Sequence, residues 1–93
     1  HEQYSIVYFD SQKWYEALMQ AEQYDWTRAV DTWISLLDTN DLMKRSCAAF
    51  NISVACYMLG DYQLAAEWLD RSDKDNKLPI SDAMRKRIDA RQK

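Results

Sequence analysis

The chain has 93 residues, a net charge of −3, twelve aromatic side chains, and only one glycine and one proline. Such a length fits one domain with a thin core, and the scarcity of breakers beside plentiful Ala, Leu, Gln, Glu, Lys and Arg favours helix over sheet. Pro79–Lys93 carries five cations against two carboxylates, a local +3 that leaves −6 for residues 1–78. An acidic body lacks the basic footprint of a general nucleic-acid binder. The basic tail reads first as a solvated helix face.

His1–Phe9, HEQYSIVYF, is the one stretch that does not read as helix. Tyr4, Ile6 and Tyr8 alternate with Ser5 and Val7, a weak period of two in β-favouring residues. One strand is not stable alone. Residues 1–10 are therefore expected to be an extended arm packed on the helices, or the remnant of a preceding domain. The chain starts at His1 rather than at a methionine, so we expect a fragment or processed product, in which a missing signal peptide carries no weight. No apolar run approaches the length of a membrane span.

The helical part is expected to begin at residue 11, with Asp10 or Ser11 as cap. Trp14, Ala17, Leu18 and Ala21 make one apolar face, ending near Tyr24. Asp25 offers the next cap, and Trp26, Ala29, Val30, Trp33 and Leu37 line one side of a second helix. The polar run Asp38–Asp41 is a loop, so residues 11–38 form a first hairpin. A third helix runs from about Asp41 to Leu59 with two apolar stripes. Ala49, Ile52, Cys56 and Leu59 form one; Cys47, Phe50, Val54 and Tyr57 form the other. A helix apolar on two sides is sandwiched between neighbours.

Gly60 suits the left-handed residue that ends a helix, and Asp61 can cap the next. Tyr62, Ala65, Ala66 and Leu69 form its inner face, flanked by Leu64 and Trp68, closing a hairpin over residues 41–72. Asp70–Lys77 reads as a charged loop and Leu78-Pro79 as a break. Ser81 caps a last helix over 81–92 whose narrow stripe is Ile80, Met84 and Ile88. The fold class expected is all-α: two antiparallel helix–turn–helix units, a C-terminal capping helix and the arm.

Chemistry is sparse. The only histidine is His1, and no serine-elbow motif or glycine-rich phosphate loop occurs. Asp70, Asp73 and Asp75 hint at calcium, but an EF-hand counted from Asp73 would need an oxygen ligand and glycine where Lys77 and Leu78 stand. Cys47 and Cys56 lie nine residues apart on one helix, about 13 Å along its axis and on opposite faces. That spacing excludes a disulfide between them, and with no histidine near it excludes a zinc site. Catalytic, cofactor and metal sites are expected to be absent.

Asp25-Trp26-Thr27-Arg28-Ala29 aligns with Asp61-Tyr62-Gln63-Leu64-Ala65 at an offset of 36 residues; at the same offset Trp33 meets Leu69 and Ala17 meets Ser53. At these residues the chain resembles the tetratricopeptide repeat family, whose helix–turn–helix unit is about 34 residues long. The second unit has Ser53, Gly60, Asp61, Tyr62, Ala65, Leu69 and Ser72 in the family's pattern. The first keeps Ala17, Asp25, Trp26, Ala29 and Trp33, but has Tyr24 in place of glycine and Leu36 in place of a small residue. The chain also looks like the C-terminal helical part of uncharacterised bacterial envelope lipoproteins, which implies an envelope or periplasmic location.

The resemblance implies a non-catalytic interaction module that takes an extended peptide or partner protein on the first helices of its units. Carried over by alignment, that face includes Trp14, Leu18, Phe50, Asn51, Val54 and Tyr57. Asn51 is the most suggestive, because its amide can hold a ligand backbone. The plainer reading has Asn51 facing solvent or bonding a neighbouring helix, and the rest as core. The family's carboxylate clamp is missing, since Trp14 and Leu18 stand at its positions, so the groove is expected to be apolar. About three units are normally needed for stability, and two plus a cap are present. The chain is therefore expected to belong to a longer protein, to lean on its arm, or to self-associate, for example as a homodimer. A structural or assembly role is the alternative function, with a small-ligand or enzyme accessory role behind it.

Overall fold

The structure, a computed structural model, describes residues 2–92. His1, the only histidine, lies outside them. The fold is all-α: among the described residues the chain forms α1 (Gln12–Glu22), α2 (Trp26–Ser35), α3 (Leu42–Met58), α4 (Tyr62–Asn76) and α5 (Ser81–Gln92), and no strand. Each helix packs on the next, and α5 also reaches α3.

Side-chain bonds give the directions. Lys13 and Gln20 of α1 meet Ser35 and Thr32 of α2. Ser46 of α3 meets Ser72 of α4, while Ser53 donates to the Ala65 carbonyl at 2.7 Å. Asp73 of α4 meets Ser81 and Arg85 of α5, and Gln63 meets Gln92. In each pair one number rises as the other falls, so α1 and α2, α3 and α4, and α4 and α5 run antiparallel.

The offset of 36 is written into the backbone. Asp25 and Asp61 each accept a hydrogen bond from the amide three residues on. Tyr24 donates its amide to Ala21 and Asp25 to Gln20; 36 residues later Gly60 donates to Tyr57 and Asp61 to Cys56. This is the paired closure of a helix ending on a left-handed residue. Gly60 has φ +87° and Tyr24 φ +59°. The tyrosine thus adopts a conformation that costs a non-glycine residue about 1–2 kcal/mol. Its ring packs edge-on against Tyr4 and Trp26, and such pairs offset about 0.5–1.5 kcal/mol each. Ala17, Ala29, Ser53 and Ala65 are fully buried where the helices approach, and Trp33 and Leu69 fill the space beside them.

The central helix is α3, buried without interruption from Ser46 to Tyr57. Its first stripe stops at Cys56; Leu59, expected within it, is the residue after the helix and is 54% exposed. One boundary and one cap also differ. The expected charged loop at Asp70–Lys77 is helix as far as Asn76, so the second hairpin extends past residue 72. The Ser72 carbonyl and hydroxyl bond the Ser46 hydroxyl, and Asp75 receives a two-pronged bond from Arg45 at 2.9 and 3.0 Å. Those partners on α3 keep a polar run helical. Ser81 is buried, and its hydroxyl donates to Asp73 instead of capping α5. Met84 and Ile88 are buried as expected, Leu78 joins them, and Ile80 is exposed.

Candidate functional site

The inner faces of α1, α3 and α5 meet residues 2–9, which are neither helix nor strand. The alternation expected there holds for Tyr4 and Ile6, then shifts: Val7 and Phe9 pack inward and Tyr8 is exposed. No neighbouring strand imposes a period of two, so pockets on the helices decide which residues turn in.

Asn51 sits midway along α3, where two apolar stripes leave no side facing water, and it is fully buried. Its Oδ1 accepts the Val7 amide at 2.8 Å and its Nδ2 donates to the Val7 carbonyl. A carboxamide paired with the amide and carbonyl of one residue uses both its acceptor and a donor. Ahead of Val7, the Tyr4 ring packs edge-on against Trp26 at 4.8 Å, and its hydroxyl donates to the Ala21 carbonyl at 3.2 Å. Beyond it, the Phe9 ring packs on Trp14 at 5.0 Å, with the Lys44 ammonium 5.6 Å from the ring centre. Tyr8 packs against Tyr15.

Glu2 lies between Arg87 and Arg91, one turn apart on α5. Arg91 Nη2 is 2.6 Å from its Oε1, and Arg87 also donates to the Gln3 carbonyl at 2.8 Å. The Tyr57 hydroxyl accepts from Arg91 at 3.2 Å, and the Arg87 guanidinium stacks 4.9 Å from the Tyr57 ring centre. The Tyr57 hydroxyl, together with the two guanidinium groups, holds the Glu2 carboxyl below the usual glutamate range against desolvation, which pushes it up. Beside the arm is a cavity of about 170 Å³ between Ser5, Phe50, Ile80, Ala83, Met84 and Arg87.

The expected open apolar groove is therefore filled by the chain itself. Asn51, Trp14 and Tyr57 come together around the arm, and Phe50 lines the adjoining cavity. Val54 is buried core, and Leu18 is half-buried on α1. The plainer reading of Asn51, as solvent-facing or bonded to a neighbouring helix, is replaced by a bond to the arm backbone. Arg87 and Arg91 were not among the expected site residues. The tail that read as a solvated face has paired cations: Arg85 bridges Asp70 and Asp73, and Arg87 and Arg91 hold Glu2. The available signal was two arginines four residues apart, which share one face of a helix.

Both cysteines are free and buried, and burial pushes each thiol up to about 11. Among the described residues no three His, Cys, Asp or Glu side chains converge as a metal site would require. No helix in them is long and apolar enough to cross a membrane.

A family model described as "Domain of unknown function (DUF6340)" matches residues 15–90. The matched stretch holds Asn51, Phe50, Val54, Tyr57 and Arg87, and begins after the arm. Comparison with curated proteins and with solved structures gives no match.

Proposed function

We propose that this chain, which belongs to the DUF6340 family, is a non-catalytic interaction module whose inner groove takes an extended protein segment. The observation that carries this reading is the grip of buried Asn51 on the amide and the carbonyl of one extended residue, Val7. A bond to backbone alone is indifferent to side chain, as peptide recognition requires. The resemblance of Gly60-Asp61-Tyr62 and its counterpart at Tyr24-Asp25-Trp26 to tetratricopeptide units supports the same face as the binding face.

A peptide array probed with the full-length Tyr4→Ser/Phe9→Ser chain, whose weakened arm no longer fills the groove, tests the reading, with Asn51→Ala introduced in that background. Binding to a subset of ten-residue peptides that falls at least about tenfold in Asn51→Ala, with the circular dichroism spectrum kept, supports it; tenfold is about 1.4 kcal/mol, within the range of one or two lost hydrogen bonds. A structural or assembly role is favoured by a different observation, the exposed stripe of Tyr8, Tyr15 and Met19 on and beside α1. Light scattering that shows a stable dimer, with no peptide bound, would transfer the function to assembly.

A further inference from the structure

We infer that the segment this groove selects carries the arm's own pattern, and that the arm is its built-in competitor. The pattern is a carboxylate, an aromatic two residues on, a branched aliphatic pair, and a second aromatic, as in Glu2, Tyr4, Ile6-Val7 and Phe9. This inference rests on the interaction-module reading and names the partner's chemistry.

Each position has a receiver of matching chemistry. The carboxylate falls between two guanidinium groups that Tyr57 helps to orient. The first aromatic finds a ring, Trp26, and a main-chain acceptor at the end of α1. The aliphatic pair packs on the core while Asn51 holds the amide and carbonyl of its second member. That aromatic rests on Trp14 under the Lys44 charge. Charge sets one end and aromatic stacking the other, so orientation and register are both specified.

The arm is also held in a way that lets it leave. Among the described residues no backbone–backbone hydrogen bond joins residues 2–9 to a helix. Its apolar residues are half-buried rather than buried. Segments with few buried contacts open first. A short tether gives an effective concentration on the order of 1 mM. If the arm pattern binds with an intrinsic Kd of about 10 µM, the tethered copy masks the groove about 100-fold.

The test uses a labelled, acetylated peptide, Glu-Gln-Tyr-Ser-Ile-Val-Tyr-Phe-Asp, titrated by fluorescence anisotropy into the full chain. The second titration is into a full-length variant with the arm weakened, Tyr4→Ser with Phe9→Ser. The variant is expected to bind at least about tenfold tighter than the native chain, because masking is relieved. A peptide with lysine in place of its glutamate is expected to bind about tenfold weaker, and that penalty to vanish in Arg87→Ala/Arg91→Ala. Should the arm peptide fail to bind the weakened variant while array peptides of other patterns do, the inferred pattern is wrong and the interaction reading survives. Should no peptide bind a folded variant, both fall. A concentration-dependent dimer that excludes the peptide would assign the groove to a second copy's arm and overturn the inference. If the variant does not fold, amide exchange in the native chain reads arm opening directly. Val7 exchanging at least about 100-fold faster than mid-α3 amides supports an arm that opens by itself, and equal rates refute it.

Discussion

Replacing Asn51 by alanine is expected to release the arm while leaving the helices folded. The change removes two hydrogen bonds to Val7, one of 2.8 Å from its amide and one to its carbonyl. Each is worth about 0.5–1.5 kcal/mol net, so arm docking weakens by about 1–3 kcal/mol. Alanine is the better helix former by up to about 0.7 kcal/mol, which partly offsets any loss within α3. Native-state amide exchange reads the two effects apart. Protection of Val7 is expected to fall by about 5-fold at 1 kcal/mol and by up to about 100-fold, the limit set by full release of the arm. Protection of Ile52, next to the substituted residue but inside α3, is expected to change far less. If Val7 keeps its protection, Asn51 does not hold the arm. If Val7 and Ile52 lose protection by the same factor, the arm has no opening separate from that of α3.

Gly60→Ala is expected to destabilise by about 1–2 kcal/mol in urea denaturation, purely through the backbone; a methyl there meets nothing within 4 Å, so a larger loss would contradict the open surroundings. The folded Glu2 carboxyl lies below its ordinary value of 4.5, so its contribution is present above that value and is lost as pH falls through the lower, folded one. NMR shifts of arm amides followed down in pH are expected to report arm release over that acid window, with the Glu2→Gln chain showing no such step. With both thiols pushed up to about 11 by burial, Cys47 and Cys56 are expected to react with a thiol reagent at pH 8 only on unfolding, since the thiolate is the nucleophile. Prompt labelling of the native chain would show that α3 is not buried as described.

Periodicity and turn chemistry are local, and they carried far. The caps at Asp25 and Asp61, the left-handed Gly60, the central position of α3 and the 36-residue offset all follow from residues within a few positions of one another. Tyr24 stood out in the sequence for occupying a glycine's place, and the backbone there does take a glycine's conformation. Where local rules failed, a distant partner had intervened. Asp70–Asn76 is polar and reads as loop, yet Arg45 and Ser46, about 30 residues away, hold it helical. Ser81 reads as a cap but bonds Asp73 across the helix pair.

The same division applies to the groove. Helical spacing placed Trp14, Phe50 and Tyr57 on apolar faces, the resemblance to tetratricopeptide units added Asn51 to them, and amide chemistry marked it as able to hold a backbone. Nothing in the spacing says whose backbone. That Val7 fills the place, and that Glu2 reaches Arg87 and Arg91 some 85 to 89 positions away, depends on how five helices stack. The sequence by itself determined the helices and their apolar faces, because hydrogen bonding and periodicity act within a turn or two of chain. Only the tertiary structure decided that the groove is occupied by the chain's own arm, because pairing between residues so far apart is settled by the geometry of the assembled helices.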